Sequence, residues 1–469
     1  MVGNMAHYQR IDNCLVLVAQ TCYCLTMNNW SVGYEAIRTY VRFAFWLSHK
    51  RVVVTGRNNI PNGKPIIFAA NHQNALMDPL AISCTNSLQS LWLARADIFK
   101  SKAARSFLKY IKMLPVYRIR DGKDNLSNNE QIFGQVIQLL EDKQSVALFP
   151  EAAHSGKRQM LPHRKAIPRI ALDAEAKNNF ALGLQIVPVG INYSHYWQFS
   201  RTLIVHYGEP IEVDRYKNAW NENPQKAMLS LRDEIHDKII PLTIQINSQT
   251  FYQEYEDLRQ LAGETYSKTK HFDKDNTLNR FYAEQELIAR IELLENTQPE
   301  QFGRIIDETR KYFQKIKENH LTDEQIGKAG KAKWARLFVQ ITAGIITLPV
   351  FVLGFVFNAI PFFIPREIFL KKVKDTAFMS TFNFVAGLVL FPVFYLIGVS
   401  LIFALTGSSV ISIVSFILMP FAGKLAFSLL QFYKNILKCL ITKGFNNNQI
   451  KQLTQQRDEV IRSVLKATS

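Results

Sequence analysis

Between Thr376 and Gly423 the chain carries no Asp, Glu, Lys or Arg. A charge-free stretch of that length exceeds what one helix needs to cross hydrocarbon, and Thr406-Gly407-Ser408-Ser409 supplies a turn near its middle, so two spanning helices are expected. Leu337–Phe357 is also uncharged and long enough to span. Pro349, Pro392 and Pro420 fall inside these segments, which a bilayer-embedded bundle tolerates. Basic clusters flank both blocks: Lys328, Lys331, Lys333 and Arg336 before the first, Arg366, Lys371, Lys372 and Lys374 after it, and Lys424, Lys434, Lys438 and Lys443 after the second. A simple first span would put one cluster on the wrong side of the positive-inside rule. The expectation is a re-entrant or interfacial hairpin over Leu337–Pro365, breaking near Asn358–Pro361, followed by two crossings; three plain spans are the alternative.

A chain of 469 residues is too long for one core, so two or three units are expected. Lys plus Arg outnumber Asp plus Glu by 56 to 39, which favours anionic partners such as lipid head groups, phosphorylated metabolites or acidic carrier proteins. No zinc-finger spacing, RNP-type strand or basic-region heptad is legible, so nucleic acid is not an expected partner. The five cysteines are scattered and unpaired in spacing, as in a reducing compartment. Residues 1–29 read as an N-terminal extension, with Met27 as an alternative initiator.

Trp30, Tyr34, Ile37, Val41 and Phe45 recur at helical spacing beside Arg38, Arg42 and Lys50, giving an amphipathic helix over 30–50 that either packs on a core or lies in a membrane interface. From 51 to 216 short apolar runs alternate with helical periodicity. Strands are expected at Val52–Thr55, Ile66–Ala70, Leu91–Ala94, Val146–Phe149, Ile186–Ile191 and Leu203–Tyr207, and helices at Pro79–Asn86, Lys102–Lys112, Asn129–Glu141 and Arg164–Asn178. That alternation predicts an α/β domain, a sheet flanked by helices. Residues 217–336 read as a helical insertion or linker, 337–430 as the membrane domain and 431–469 as a polar C-terminal tail.

Three polar clusters follow apolar runs in the α/β segment. Asn71-His72-Gln73-Asn74-Ala75-Leu76-Met77-Asp78-Pro79 follows Ile66–Ala70, at a strand end where sites collect. A His held by a carboxylate can take a proton from an alcohol, because the Asp fixes the tautomer and stabilises the imidazolium. Asp78 before Pro79 also suits a simple helix cap. The second cluster is Pro115-Val116-Tyr117-Arg118, whose guanidinium suits an oxyanion, and the third is Phe149-Pro150-Glu151-Ala152. Either of these two alone reads better as an ordinary salt-bridged turn.

In order and spacing, however, these blocks resemble the glycerophospholipid acyltransferase family, whose members carry N-H-x4-D, P-V-x-R or F-I-x-R, F-P-E-G and V-P blocks. The matches are Asn71-His72 with Asp78, Pro115–Arg118, Phe149–Glu151 and Val187-Pro188-Val189, within roughly Arg51 to Val213. Two departures stand out. Five residues rather than four separate His72 from Asp78, a spacing that looks like the branch acting on glycerol-3-phosphate or dihydroxyacetone phosphate, and Ala152 occupies the usual Gly position. Arg164 and Ala166 also stand where the family tends to show Lys and Gly.

The resemblance implies an O-acyltransferase of phospholipid synthesis. His72 would be the general base and Asp78 its partner, with direct attack on the thioester of acyl-CoA or acyl carrier protein and no acyl-enzyme. Asn71, Arg118, Phe149, Pro150, Glu151, Arg164, Lys165 and Pro188 would bind substrate, and no metal or cofactor is required. Cys84 is then a small buried helix residue. His154, His163, His195 and His206 read as turn or surface residues, with substrate contact by His154 or His163 as the lesser alternative. The acceptor stays open between glycerol-3-phosphate and its 1-acyl derivative. Acylation of another lipid alcohol, such as a lyso-ornithine lipid, and a silent lipid-binding protein are the rivals. The expected setting is an integral membrane protein with its catalytic domain in the cytoplasm.

Overall fold

The computed structural model describes residues 30–117, 127–270, 276–329, 334–372, 378–444 and 447–468. The chain forms two compact units, Met1–Thr243 with Asp375–Thr381, and Ile244–Lys374 with Phe382–Ser469. The expected extension 1–29 lies outside the described residues.

The first unit is an α/β domain. It runs α1 (Val32–Ser48), β1 (His49–Thr55), β2 (Ile66–Ala70), α2 (Met77–Thr85), β3 (Leu91–Arg95), α3 (Lys102–Tyr110), β4 (Met113–Val116), α4 (Ser127–Glu141), β5 (Ser145–Leu148), α5 (Ala166–Lys177), β6 (Gln185–Tyr193), β7 (Arg201–Tyr207), β8 (Ile211–Glu212), α6 (Lys217–Glu222) and α7 (Pro224–Ile239). The sheet order is β1-β7-β6-β2-β5-β3-β4, with β8 on β6. All pairings are parallel except β6–β7 and β6–β8. Every residue of β2, β5 and β6 is buried, which explains why they read as unbroken apolar runs rather than alternating ones.

The unit runs past 216, where the strands stop, to Thr243. Ala227, Met228, Leu231, Ile235 and Ile239 of α7 join the same core as Ile67, Val146, Ile170 and Ile186. One α1 face buries Tyr34, Glu35, Arg38 and Phe45, while Val32, Tyr40, Phe43 and Trp46 on the other face are exposed.

The second unit holds a polar bundle of α8 (Tyr252–Thr269), α9 (Asn276–Thr297), α10 (Pro299–Glu318), α11 (Asp323–Ala329) and α15 (Asn447–Thr468), and three apolar helices, α12 (Trp334–Lys372), α13 (Met379–Thr406, from Phe382 on) and α14 (Ser409–Gly444). Buried Arg259 pairs with Glu256 and Glu284 inside the bundle. Residues 447–468 are not a loose tail: Leu453, Val460, Ile461 and Val464 are buried, and Arg457 Nε donates to Asp323 Oδ1 at 2.8 Å.

Leu337–Lys371, Met379–Thr406 and Ser409–Thr442 are each long and apolar enough to cross a membrane. Their packing within the unit shows that α12 does not run straight. At about 1.5 Å rise per residue, Tyr395 and Met419 both lie about 18 Å from the Gly407 turn that joins α13 to α14. There they meet Asn358, which accepts from the Tyr395 hydroxyl at 2.7 Å and donates to the Met419 carbonyl at 3.4 Å. Gly344 faces Tyr433 and Ile436, about 40 Å from that turn. The Phe369 ring meets the Phe382 ring at 5.5 Å, and Phe382 lies about 37 Å from the turn. A straight helix would have carried Phe369 towards the turn, so α12 doubles back after Asn358. Pro361 and Pro365, which cannot donate to the preceding turn, lie in that stretch. The backbone stays helical through the reversal, which lies beside the break expected near Asn358–Pro361.

Candidate active site

The sheet order sets β2 between β5 and β6, so Ala69 pairs with both Leu148 and Pro188 and the carboxyl ends of β2 and β5 lie side by side. The polar turns that leave those ends therefore meet, as at the open edge of other α/β sheets. His72 and Phe149–Glu151 are 77 or more residues apart in sequence, yet the His72 ring stacks on Phe149 with centroids 4.0 Å apart and planes at 12°. Trp92 from β3 backs Phe149 at 5.7 Å.

His72 Nδ1 lies 2.9 Å from Asp78 Oδ2, and the same oxygen accepts the N–H groups of Gln73 and Asn74 at 2.7 Å each. Asp78 is 1% exposed. A buried carboxylate with three donors holds the imidazole with Nδ1 protonated and leaves Nε2 to take a proton. The fifth intervening residue is absorbed by a turn: Met77 donates to the Asn74 carbonyl at 2.9 Å and Ala75 takes φ 38°.

Glu151 braces this turn. One carboxyl oxygen accepts the His72 N–H and the other the Leu161 N–H, both at 2.7 Å. Burial pushes the Glu151 carboxyl up to about 8, opposed by those two N–H donors, while the Asp78 charge adds to the rise. Ala152, at φ 58°, donates to the Phe149 carbonyl at 3.2 Å, which shows why a Gly suits this position.

The other expected residues take distinct places. Asn71 is buried, its amide donating to the Ile191 carbonyl and its oxygen accepting the Ile191 N–H, so it locks β2 to β6. Pro188 is buried within the sheet. The Arg164 N–H donates to the Pro150 carbonyl at 2.7 Å, bringing exposed Arg164 and Lys165 beside the Phe149–Ala152 turn at the start of α5. Arg118 lies outside the described residues; Tyr117 before it is pinned by two hydrogen bonds with Asn129.

Cys84 is no nucleophile candidate, since burial pushes its thiol up to about 12. Among the described residues no group of three or more His, Cys, Asp or Glu is placed to hold a metal.

Three histidines depart from or refine the sequence reading. His154 joins the site, its ring 5.5 Å from that of His72 and 4.9 Å from Phe378. His163 and His206, expected at turns or the surface, are buried at 8% and 4% exposure. His206 lies on a strand covered on both faces, and His163 packs on His236 under α7. Sequence reasoning also passed over Arg158, whose buried guanidinium donates to the Tyr193 carbonyl at 2.7 Å and lies over the Tyr196 ring at 5.5 Å. No motif marks Arg158; only the fold brings it beneath Tyr196.

Comparison with known proteins points the same way. A family model described as Acyltransferase matches residues 51–192. The chain is 28% identical over 117 residues to glycerol-3-phosphate O-acyltransferase 2 of Saccharomyces cerevisiae, covering 25% of this chain and 16% of the yeast protein. It is 21% identical over 182 residues to a 1-acyl-sn-glycerol-3-phosphate acyltransferase of Borreliella burgdorferi, covering 39% of this chain and 67% of that protein. The crystal structure of the 1-acyl-sn-glycerophosphate acyltransferase of Thermotoga maritima superposes with a TM-score of 0.32 and 21% identity, over 44% of this chain and 78% of that one. The match thus spans about a sixth of the yeast relative. Since the family model encloses each block from Asn71 to Pro188, residues 51–192 form an Acyltransferase domain, and its named relatives support the glycerophospholipid acyltransferase family.

Proposed function

We propose that this chain transfers a fatty acyl group from acyl-CoA or acyl carrier protein to the hydroxyl of glycerol-3-phosphate or its 1-acyl derivative. The observation that carries this reading is the His72–Asp78 contact at 2.9 Å through Nδ1, set beside the Phe149–Glu151 turn, with Nε2 unengaged among the described residues. Nε2 takes the acceptor's proton as its oxygen attacks the thioester carbonyl carbon. The tetrahedral adduct then expels the thiolate, which recovers the proton from the imidazolium. Asp78 stabilises the transient imidazolium. No acyl-enzyme forms, and the reaction as written needs no metal or cofactor beyond the acyl donor.

Arg118, Arg164 and Lys165 are assigned to the acceptor phosphate, and His154, beside the His72 ring, to the acceptor end of the site. Membrane lipids surround the apolar helices, and the exposed aromatic face of α1 suits a head-group layer. The catalytic unit is assigned to the cytoplasm, where the acyl donors and glycerol-3-phosphate are found.

The test is a purified, reconstituted preparation given glycerol-3-phosphate and lysophosphatidate side by side, each with acyl-CoA and with acyl carrier protein. Turnover of one phosphorylated acceptor at least tenfold above a non-phosphorylated lipid alcohol is expected. Equal turnover of a non-phosphorylated alcohol would move the assignment to another lipid acceptor.

A further inference from the structure

Asp78 carries its hydrogen bonds on one oxygen. Oδ2 accepts from His72, Gln73 and Asn74, while Oδ1 is buried with no donor in hydrogen-bonding geometry among the described residues. Tyr193, the last residue of β6, is 2% exposed, and its hydroxyl is likewise buried without a geometric partner. The chain leaving β6 packs on the dyad turn, since the Tyr196 hydroxyl donates to Gln73 Oε1 at 2.7 Å and the Asn74 amide donates to the Tyr196 carbonyl at 2.9 Å, while the N–H groups of Gln73 and Asn74 both bind Asp78; the Asp78 charge also acts on the Tyr193 hydroxyl. Buried idle groups are costly, so a donor and an acceptor placed together are expected to engage. Beneath them lies Arg201, the first residue of β7 and 6% exposed, with its guanidinium 4.8 Å from the Tyr193 ring centroid. Arg201 is anchored by the Tyr196 carbonyl and by the Ser380 hydroxyl at 2.9 Å, and it feels the charge of Asp78.

We propose that Tyr193 is a positioning residue of the dyad, its hydroxyl donating to Asp78 Oδ1 with Arg201 behind it as the compensating charge. This rests on the acyl-transfer reading only where rates are concerned. A fourth donor and a nearby cation spread and offset the carboxylate charge, so the imidazolium of His72 is held less tightly. The titratable and charged groups facing the dyad are Glu151 from the turn after β5, His154, Tyr193 from β6 and Arg201 from β7.

The test follows the His72 ring directly, by NMR of the full chain labelled at histidine Cε1, with the His72 signal assigned through its loss in His72→Gln. Tyr193→Phe removes only the hydroxyl. It should raise the His72 titration by about 0.5–1 pH unit. The acid limb of kcat/KM should move with it, lowering the rate there by roughly threefold to tenfold. Acceptor KM should stay within about twofold. Arg201→Gln should shift His72 in the same direction, whereas Tyr196→Phe, which removes only the hydroxyl that donates to Gln73, should leave it in place. An unmoved His72 titration in folded Tyr193→Phe overturns the proposal; should that variant not fold, Arg201→Gln decides on the same readout. A chain that transfers no acyl group leaves the titration result standing, so the two claims fail separately.

Discussion

Ala152 holds φ 58°, a left-handed conformation that costs an L-residue roughly 1–2 kcal/mol. Ala152→Gly removes that strain at the expense of about 0.5–1 kcal/mol in unfolded-chain entropy. The net expectation is a small gain in thermal stability with acyl transfer retained, while Ala152→Val should lose both. Melting curves of the full chain in detergent, paired with activity, check this. A second residue sets acid sensitivity. His163 is buried with both ring nitrogens unpartnered among the described residues, and burial first, then His236 and Arg232, hold it down to about 4. Its folded value lies below the ordinary 6.5, so its contribution to stability is complete above pH 6.5 and is lost as pH falls through about 4. The loss amounts to roughly 3 kcal/mol. Unfolding midpoints measured from pH 7 to pH 4 should fall less steeply in His163→Leu than in the parent chain; parallel curves would contradict this. His72 and Asp78 were legible in the sequence because they lie close together in a family pattern. Tyr193 and Arg158 were not, since their roles come from strand pairing between segments more than a hundred residues from Asp78 or in an unmarked loop.

At the level of elements, the buried strands β2, β5 and β6 were legible as apolar runs, and the expected helices of the first unit differ from those found by one or two residues at most ends. β4 was not foreseen: four residues, Met-Leu-Pro-Val, offer no alternation, and Pro115 argues against a central strand. It forms at the sheet edge, where a missing N–H is tolerated. A hairpin over Leu337–Pro365 was expected from charge; the chain does reverse there, within one helix that contains Pro361 and Pro365. Close packing of α12 on α14 rests on Gly354, where a Cβ would come within 2.6 Å of the Ala422 carbonyl oxygen and 2.9 Å of the Ala426 Cβ. Gly354→Leu is therefore expected to destabilise the second unit by about 1–3 kcal/mol or more. Gly303→Ala, with nothing within 4 Å of the added Cβ, should instead stabilise slightly. Detergent melts of the two variants should move in opposite directions.

For the whole molecule, the path of the second unit constrains topology. The chain leaves the polar bundle after α11 and returns to it as α15, where Arg457 meets Asp323 and Gln449 meets Asn319. We therefore predict an even number of membrane crossings between them, with α13 and α14 as the two spans and α12 as the re-entrant element, although all three are long and apolar enough to cross. In sealed vesicles, an impermeant thiol reagent should label Lys371→Cys and native Cys439 from one side and Ser408→Cys from the other, in a background without the remaining cysteines. Position 371 on the side of position 408 would restore three plain spans. The central claim is chemical, however, and one measurement meets it most directly: acyl transfer from acyl-CoA to glycerol-3-phosphate or its 1-acyl derivative by purified wild-type and His72→Gln proteins of matched folding. The expected loss is about 10²–10⁴-fold in kcat with little change in donor KM. Turnover in His72→Gln within about twofold of wild type would contradict it, because no base at Nε2 would then be needed.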